Sequence, residues 1–499
     1  MQINILEYLD RTSADLPDKT AYSDGEHSLT FSQVSDIAGA VGTFLAGKGL
    51  RGEPVVVCMK KSPETAAAFF GVISAGCYYV PFDDETPRHR IEMIFENIKP
   101  RAAVCDEFML EFLKDAQNKC PLYDFADICQ TRVDEALLLR IREAAIDTDP
   151  IYTVFTSGST GLPKGVTACH RSVIDYIENL TGTLRFDSDT VFGNQAPLYV
   201  DACLKDIYST IKVGATTFLI PRQLFMFPLK LIDYLNEHEI NAICWVVSAL
   251  TMISGFDALE KSVPRHVRLV AFGGEVFPVV QLNKWRAALP EARFVNLYGP
   301  TEATGMSCYY EVDRDFGPDE TLPVGRPFRN TGILLIKDDG QAAGEGETGE
   351  ICIRGTALTL GYWGDFAKTD ECFVQNPRND AYRELIYRTG DIGRYNESGE
   401  LMFVSRRDNQ IKHMGHRIEL GEIEAVAGKL DGTRGVCCVF DDASKKLTLY
   451  YAGSRADAEV ASYLKETLPR YMTPHLIIKI DEMPLTANGK IDRKALGSK

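Results

Sequence analysis

Residues 152–166 read YTVFTSGSTGLPKGV, and this is the stretch whose residue types most directly suggest chemistry. An apolar strand runs into a loop of Thr, Ser and Gly that ends in a lysine. Small residues such as Gly158 and Gly161 let backbone N–H groups approach an anion closely. The hydroxyls of Thr156, Ser157, Ser159 and Thr160 add donors, and Lys164 adds positive charge. A loop of this kind suits a polyphosphate. It is not a Walker loop, because Pro163 stands where that motif needs its second glycine. Nor is it a nucleophile elbow, because Ser157 takes the first glycine position of G-x-S-x-G around Ser159. On composition alone, a flexible Ser/Gly turn is the alternative.

The elements that would hold this loop are legible as short apolar runs. VVVCM, CYYVPFD and RAAVCD read as strands, with a helical SPETAAAFFGVISAG between the first two; ATTFLI, NAICWVV and VRLVAFGG have the same character. Strands alternating with helices predict an α/β fold of parallel sheets covered on both faces. From about Gly325 the pattern turns to short strands and Gly-rich turns, which predicts a small β-barrel or sandwich element. Beyond Ser405 it changes again. IELGEIEAVAGKL and DAEVASYLKETLP read as helices, and VCCVFDD and KLTLYYAG as strands. A chain of 499 residues exceeds one hydrophobic core. We therefore expect a large N-terminal domain, 1–405, and a smaller mobile α/β C-terminal domain, 406–499.

Composition narrows the function. A formal net charge of −16 repels phosphate backbones, which argues against nucleic acid as a partner. Thirteen cysteines with no C-x-x-C pair argue against a disulfide framework or a zinc site and for a reducing, cytoplasmic setting. The adjacent Cys437 and Cys438 read as small buried hydrophobes facing opposite ways on a strand. The N-terminus lacks the basic and apolar regions of a signal peptide, and no apolar run is long enough to span a membrane.

The loop resembles the phosphate loop of the adenylate-forming superfamily, which includes acyl-CoA synthetases, luciferases and the adenylation domains of nonribosomal peptide synthetases. Seven further segments match that family in order: LTFSQV from Leu29, AGCYYVPFD from Ala75, NLYGPTEAT from Asn296, GEICIRG from Gly349, YRTGD from Tyr387, RRDNQIKHMGHRIELGEIE from Arg406, and PLTANGKIDRKAL from Pro484. The resemblance implies ATP as substrate, Mg²⁺ as cofactor and an acyl-adenylate as intermediate.

Each segment has a chemical reading beside that resemblance. Gly299–Pro300 forces a turn that presents Tyr298, Thr301 and Glu302. Tyr298 can stack on adenine, Thr301 can bind the α-phosphate and Glu302 the metal; a turn opening a helix is the plainer alternative. Asp391 can accept both ribose hydroxyls, or it satisfies local N–H groups. The resemblance makes Arg406 the second ribose contact and adds Gly274, Glu275, Asn296, Leu297 and Phe403 to the nucleotide site. It makes Lys490 the lysine that neutralises charge as a carboxylate attacks the α-phosphate. Lys412 would face the site in the second half-reaction, with Asp408 as the hinge of a domain rotation.

The turn YGPTE is similar to the amino-acid branch of the family. LYVDACLKDIY places Asp201 where the family holds a substrate α-ammonium, and a carboxylate there selects a cation; a helix N-cap is the alternative. Position by position, the side-chain pocket would be lined by Ala202, Lys205, Trp245, Ala271, Gly273, Leu297, Gly305 and Met306. Lys205 suggests a substrate whose side chain carries a carboxylate or carbonyl, unless it pairs with Asp206 or reaches solvent. Chain length, FGGEVFP and APLYVDACLKDIY are similar to D-alanine–carrier protein ligases; a free-standing peptide-synthetase adenylation protein fits equally. No carrier segment follows Lys490, so a separate phosphopantetheinylated carrier protein is the expected acceptor. The competing readings are an acyl- or aryl-CoA ligase and a non-catalytic nucleotide-binding relative.

Overall fold

A computed structural model of the chain describes residues 2–115, 119–158, 162–318, 320–442, 444–485 and 491–497. By compactness it divides into two units. The first comprises Met1–Asp84, Ile98–Val154 and Val166–Arg407; the second comprises Glu85–Asn97, Phe155–Gly165 and Asp408–Lys499.

The first unit is built on two large sheets, and both are mixed. In the nine-stranded sheet, Arg293–Tyr298, Leu269–Gly273, Ala242–Val246, Val191–Asn194, Thr216–Leu219 and Thr20–Ser23 lie side by side and parallel. Its flanks are antiparallel: Cys308–Glu311 and Arg326–Pro327 on one side, Ser28–Thr30 on the other. The seven-stranded sheet is parallel through Pro150–Thr156, Tyr78–Phe82, Pro54–Cys58, Ala102–Cys105 and Leu122–Asp124, and its far edge pairs Gly361–Tyr362 antiparallel with Lys164–Cys169. The expectation of parallel sheets thus holds for the interior strands, whose every residue in Pro54–Cys58, Tyr78–Phe82 and Ala102–Cys105 is buried. The edges escape it because an edge strand need not be covered on both faces and can return by a short connection.

Helices fill the faces. Pro63–Ser74 starts where Ser62 accepts from the Thr65 N–H at 3.3 Å, with proline in the first helical position. Phe31–Gly47 starts on a Thr30–Gln33 capping box. These helices, together with His170–Leu184 and Leu204–Val213, share one hydrophobic core with strands of both sheets. The short-strand region forms a five-stranded antiparallel sheet of Thr331–Ile336, Gly349–Gly355, Leu385–Tyr395, Phe373–Gln375 and Leu401–Arg406.

The second unit has its own core around a three-stranded sheet, Thr433–Asp441, Lys446–Gly453 and Leu476–Lys479, with helices Leu420–Ala427 and Asp457–Thr467. Cys438 packs in that core and Cys437 in a separate cluster with Leu496, as two neighbours on opposite faces of a strand must. The helix expected from Ile418 begins later, at Leu420, because His416–Glu419 is used as a strand. That strand pairs with Gln410–His413 across Met414 and Gly415, both at positive φ (51° and 77°), the conformation of a tight primed hairpin turn. All thirteen cysteines are free.

Candidate active site

In the first unit, two antiparallel strands bring Asp391 and Arg406 into register as direct partners. Asp391 is nearly buried. The Tyr298 hydroxyl donates to its Oδ2 at 2.5 Å, and Arg406 pairs with its Oδ1. Its own N–H donates to the Thr389 hydroxyl at 2.9 Å, and Arg406 also reaches the Thr389 carbonyl at 3.2 Å. A carboxylate has about four acceptor positions, so this arrangement keeps capacity for a sugar's hydroxyls while fixing the side chain. Burial, and then the Asp391 carboxylate, push the Tyr298 phenol far above its usual range, so it stays a donor.

The turn after Tyr298 is tight. A Cβ on Gly299 would lie 2.3 Å from the Gly305 carbonyl oxygen. Thr301 opens a short 3-10 turn, and Glu302 within it is wholly buried. Tyr362 donates to Glu302 Oε1 at 2.7 Å. Among the described residues no cluster of three or more His, Cys, Asp or Glu could hold a metal by itself. A lone carboxylate nevertheless fits Mg²⁺, which takes one or two protein carboxylates and completes its shell with phosphate and water.

The residues expected to line an acid pocket lie towards the ends of parallel strands, in the short turn that begins at Asp201 and on the helix Leu204–Val213. Asp201 begins a short 3-10 turn, and the N-cap position of that turn is Val200 rather than Asp201. Lys205 is 5% exposed, and its one hydrogen bond among the described residues is to the Ala202 carbonyl at 2.9 Å. It neither reaches solvent nor forms an ion pair with Asp206. Asp206 accepts from Asn194 at 2.7 Å; burial pushes its carboxyl up to about 6, against the opposing pull of Lys205, Asn194 and Lys61. Lys61 donates to the carbonyls of Asn194 (3.1 Å) and Gln195 (3.3 Å), and burial pulls it down to about 7. Trp245 is locked by its indole N–H on the Gly193 carbonyl at 2.7 Å. Ala271 and Gly273 lie in the fully buried strand Leu269–Gly273, and Leu297 is the partner of Gly273 in the neighbouring one. Asn296 donates to the Pro323 carbonyl at 2.8 Å, and Glu275 accepts the Ser248 N–H at 2.8 Å. Gly274 adopts φ +86°, Met306 is partly buried against the main core, and Phe403 packs beside Tyr298's cluster.

The phosphate loop lies in the second unit, with the segment that follows Asp408. Gly158 cannot be replaced cheaply, because a Cβ there would sit 2.0 Å from the Leu162 carbonyl oxygen. The Gly158 N–H donates to Glu422 Oε2 at 3.0 Å. The Ser157 hydroxyl donates to the Arg417 carbonyl at 2.8 Å and accepts from the Glu419 N–H at 3.2 Å. Lys164 lies 3.7 Å from Glu419, and Arg90 pairs with Glu422 at 2.8 Å. Thr156 Oγ1 is buried without a partner among the described residues. Asp408 accepts the Gln410 N–H at 3.2 Å, and Lys412 lies on the hairpin strand Gln410–His413. Ser159, Thr160, Gly161 and Lys490 lie outside the described residues.

Residues 9–363 match the family model for the AMP-binding enzyme. The chain belongs to the AMP-binding enzyme family. Tyrocidine synthase 1 of Brevibacillus parabrevis is 30% identical over 99% of this chain and 45% of its own length. Tyrocidine synthase 2 of the same organism is 34% identical over 96% of this chain and 13% of its own length. The chain therefore spans less than half the length of these relatives. Among solved structures, holo-PA1221, a nonribosomal-peptide-synthetase protein containing adenylation and PCP domains, superposes with a TM-score of 0.84 at 24% identity, covering 99% of this chain and 84% of that one.

The family resemblance read from the sequence is thus borne out at the level of the AMP-binding enzyme family, and the fold is shared with a protein that contains an adenylation domain. AMP-binding enzymes use ATP. No helix among the described residues is long and apolar enough to cross a membrane. In this AMP-binding enzyme the structure joins Tyr298, Asp391 and Arg406 in one hydrogen-bonded group. It also supplies partners that motif reading does not single out: Tyr362 on Glu302, and Glu419, Glu422 and Arg90 around the phosphate loop. Glu422 could have been suspected from its place inside the matched RIELGEIE stretch; Tyr362 and Arg90 carry no such signal.

Proposed function

We propose that the chain activates an amino acid as its aminoacyl-AMP and passes it to the phosphopantetheine thiol of a carrier protein. The substrate carboxylate attacks the α-phosphorus of ATP, the α–β bond breaks and pyrophosphate leaves. In the second step the thiol attacks the acyl carbon and AMP leaves. Asp391 and Arg406 hold the ribose, with Tyr298 fixing the carboxylate. Glu302 would hold Mg²⁺, which neutralises triphosphate charge. Lys490 is assigned to the first step and Lys412 to the second. A small domain, 406–499, would turn about Asp408 against the large domain, 1–405. The setting we propose is cytoplasmic.

The observation that carries the amino-acid reading is Asp201. Its carboxylate acts electrostatically on the buried phenols of Tyr152 and Tyr176, so its negative charge is felt among buried groups of this region. A negative charge there attracts an α-ammonium and disfavours an uncharged acyl chain. The two tyrocidine synthases, and a structural neighbour described as a nonribosomal-peptide-synthetase protein containing adenylation and PCP domains, support both the amino acid and the carrier. A D-alanine ligase and a peptide-synthetase adenylation protein are the two versions of this reading. Lys205 favours a side chain with a carboxylate or carbonyl.

The test is exchange of pyrophosphate into ATP, screened over L- and D-amino acids and several aryl acids. Amino-acid-dependent exchange is expected, and Lys490→Ala should abolish adenylate formation while ATP still binds. CoA-dependent AMP release with aryl or acyl acids, and none with amino acids, would replace this reading with a CoA ligase. Exchange unchanged in Lys490→Ala would remove that lysine's assigned role.

A further inference from the structure

Tyr176 lies on the helix His170–Leu184 and is 2% exposed. Its hydroxyl is buried and has no hydrogen-bond partner among the described residues. Leaving a buried hydroxyl unpaired is costly, so an isolated one in a ligand site calls for a partner that arrives with the ligand. Its position is fixed by Gly305: a Cβ on that glycine, whose φ is +92°, would meet Tyr176 Cζ at 3.0 Å and the hydroxyl oxygen at 3.2 Å. The hydroxyl end of the ring therefore abuts the wall of the acid pocket, and glycine at 305 makes the room. Burial, then Asp201, Cys244, Asp206 and Cys203, hold the phenol far above its usual range, so it keeps its proton.

We propose that the Tyr176 hydroxyl is a specificity-determining donor that reads a carbonyl or carboxylate oxygen on the side chain of the activated acid. This rests on the amino-acid reading above. Lys205 points to the same chemistry from a second element. An ammonium has three N–H donors, and among the described residues Lys205 uses one, on the Ala202 carbonyl. Two buried, underused donors select an acceptor. An aliphatic side chain of equal size would leave both unsatisfied, and a site built to hydrogen-bond its substrate rejects such an analogue strongly.

The experiment measures exchange kinetics for glutamate, glutamine, aspartate and asparagine against norvaline and aminobutyrate, in the wild type and in Tyr176→Phe. The wild type is expected to favour an acceptor-bearing acid. Tyr176→Phe should raise KM for that acid about tenfold or more, with kcat, the KM for ATP and the KM for the aliphatic analogue within about twofold. The free variant should melt at the same temperature as the wild type or higher, because it loses an unpartnered buried polar group. An equal rise in KM for both substrate classes, no rise at all, or a lowered melting temperature would overturn the proposal. If the wild type exchanges readily with amino acids but prefers the aliphatic ones, only this inference fails. If it exchanges with no amino acid, the reading it rests on fails as well.

Discussion

Among the described residues of the phosphate loop, three of the four donors are taken; only the Thr156 hydroxyl lacks a partner. The Gly158 N–H is bonded to Glu422, Ser157 is bonded to the backbone of Arg417 and Glu419, and Lys164 faces the Glu419 carboxylate. Around the residues expected to bind the acid, several buried polar atoms lack partners among the described residues. The hydroxyls of Tyr152 and Tyr176 are buried without partners, and so is one oxygen of Asp206. The difference concerns what a ligand must do on arrival. A phosphate entering the loop competes with carboxylates that already satisfy the same donors, so its binding is offset by what it displaces. On the function proposed above, an acid bound beside Tyr176 would complete a hydrogen bond that no described residue makes, so polar matching there would add to affinity directly. On the proposed function, the loop would thereby suit binding and releasing an anion in turn, and the pocket discriminating among acids.

The sharpest way to break this comparison is at Glu422. Its carboxylate bridges the loop and Arg90, and both side chains are almost fully buried. Glu422→Ala is expected to destabilise the protein by about 3–5 kcal/mol, since removing one member of a buried ion pair leaves the other short of a partner. The same variant should bind pyrophosphate more tightly, because the Gly158 N–H is released. Calorimetry of unfolding and of pyrophosphate binding checks both. An unaltered melting profile with unaltered pyrophosphate affinity would mean that the carboxylate does not guard the loop.

Next in size is Asp201→Ala, which should lower kcat/KM for the amino acid about a hundredfold, the worth of a charge-assisted hydrogen bond at the upper end of its range. The KM for ATP should not move. A loss shared equally between the two substrates would show that Asp201 acts through the fold.

A smaller effect separates the pocket's own charges. Burial raises Asp206 from an ordinary carboxyl value to about 6. The folded state thus holds this proton more firmly than the unfolded chain does. The penalty for a buried charge is absent at about pH 4, grows as pH rises toward 6 and is complete above it. Asp206→Asn should remove that part of the pH dependence, so its melting temperature should gain on the wild type between pH 4 and 6 and then run parallel. Lys61, pulled down to about 7, acts in the reverse sense above neutrality and leaves the acid window clear. Parallel curves throughout would show that Asp206 does not titrate there.

The smallest expected change is Tyr298→Phe. It removes one hydrogen bond to Asp391 and should raise the KM for ATP about threefold to tenfold, with the amino-acid KM unchanged. A change confined to the amino acid would contradict the role given to Tyr298.

How much of this was legible in the sequence depended on whether the signal was local. The strand that enters the loop, the turn at Gly299–Pro300 and the Asp391 turn in YRTGD each lie within one short segment. Residue types suggested their chemistry, and the family resemblance decided between it and the plainer alternatives. Parallel interior strands were readable because burial on both faces leaves continuous apolar runs such as VVVC. The antiparallel edges were not, because nothing within a short run such as CYYE tells an edge from a centre. Tyr176 and Arg90 stayed silent for a different reason. A tyrosine on an amphipathic helix and an arginine in RHRIEMIFENI look like ordinary core and surface positions. Their significance comes from Gly305 and Glu422, which are distant in the chain and are brought near only by folding.

The account turns on whether the activated acid is recognised by its α-ammonium. The direct measurement is exchange of pyrophosphate into ATP with the preferred amino acid and with the same acid lacking its α-amino group, side by side. We expect exchange with the first and, for the second, a loss of about a hundredfold that Asp201→Ala no longer shows. Equal exchange with both acids, or faster turnover of the deaminated one, would contradict the central claim.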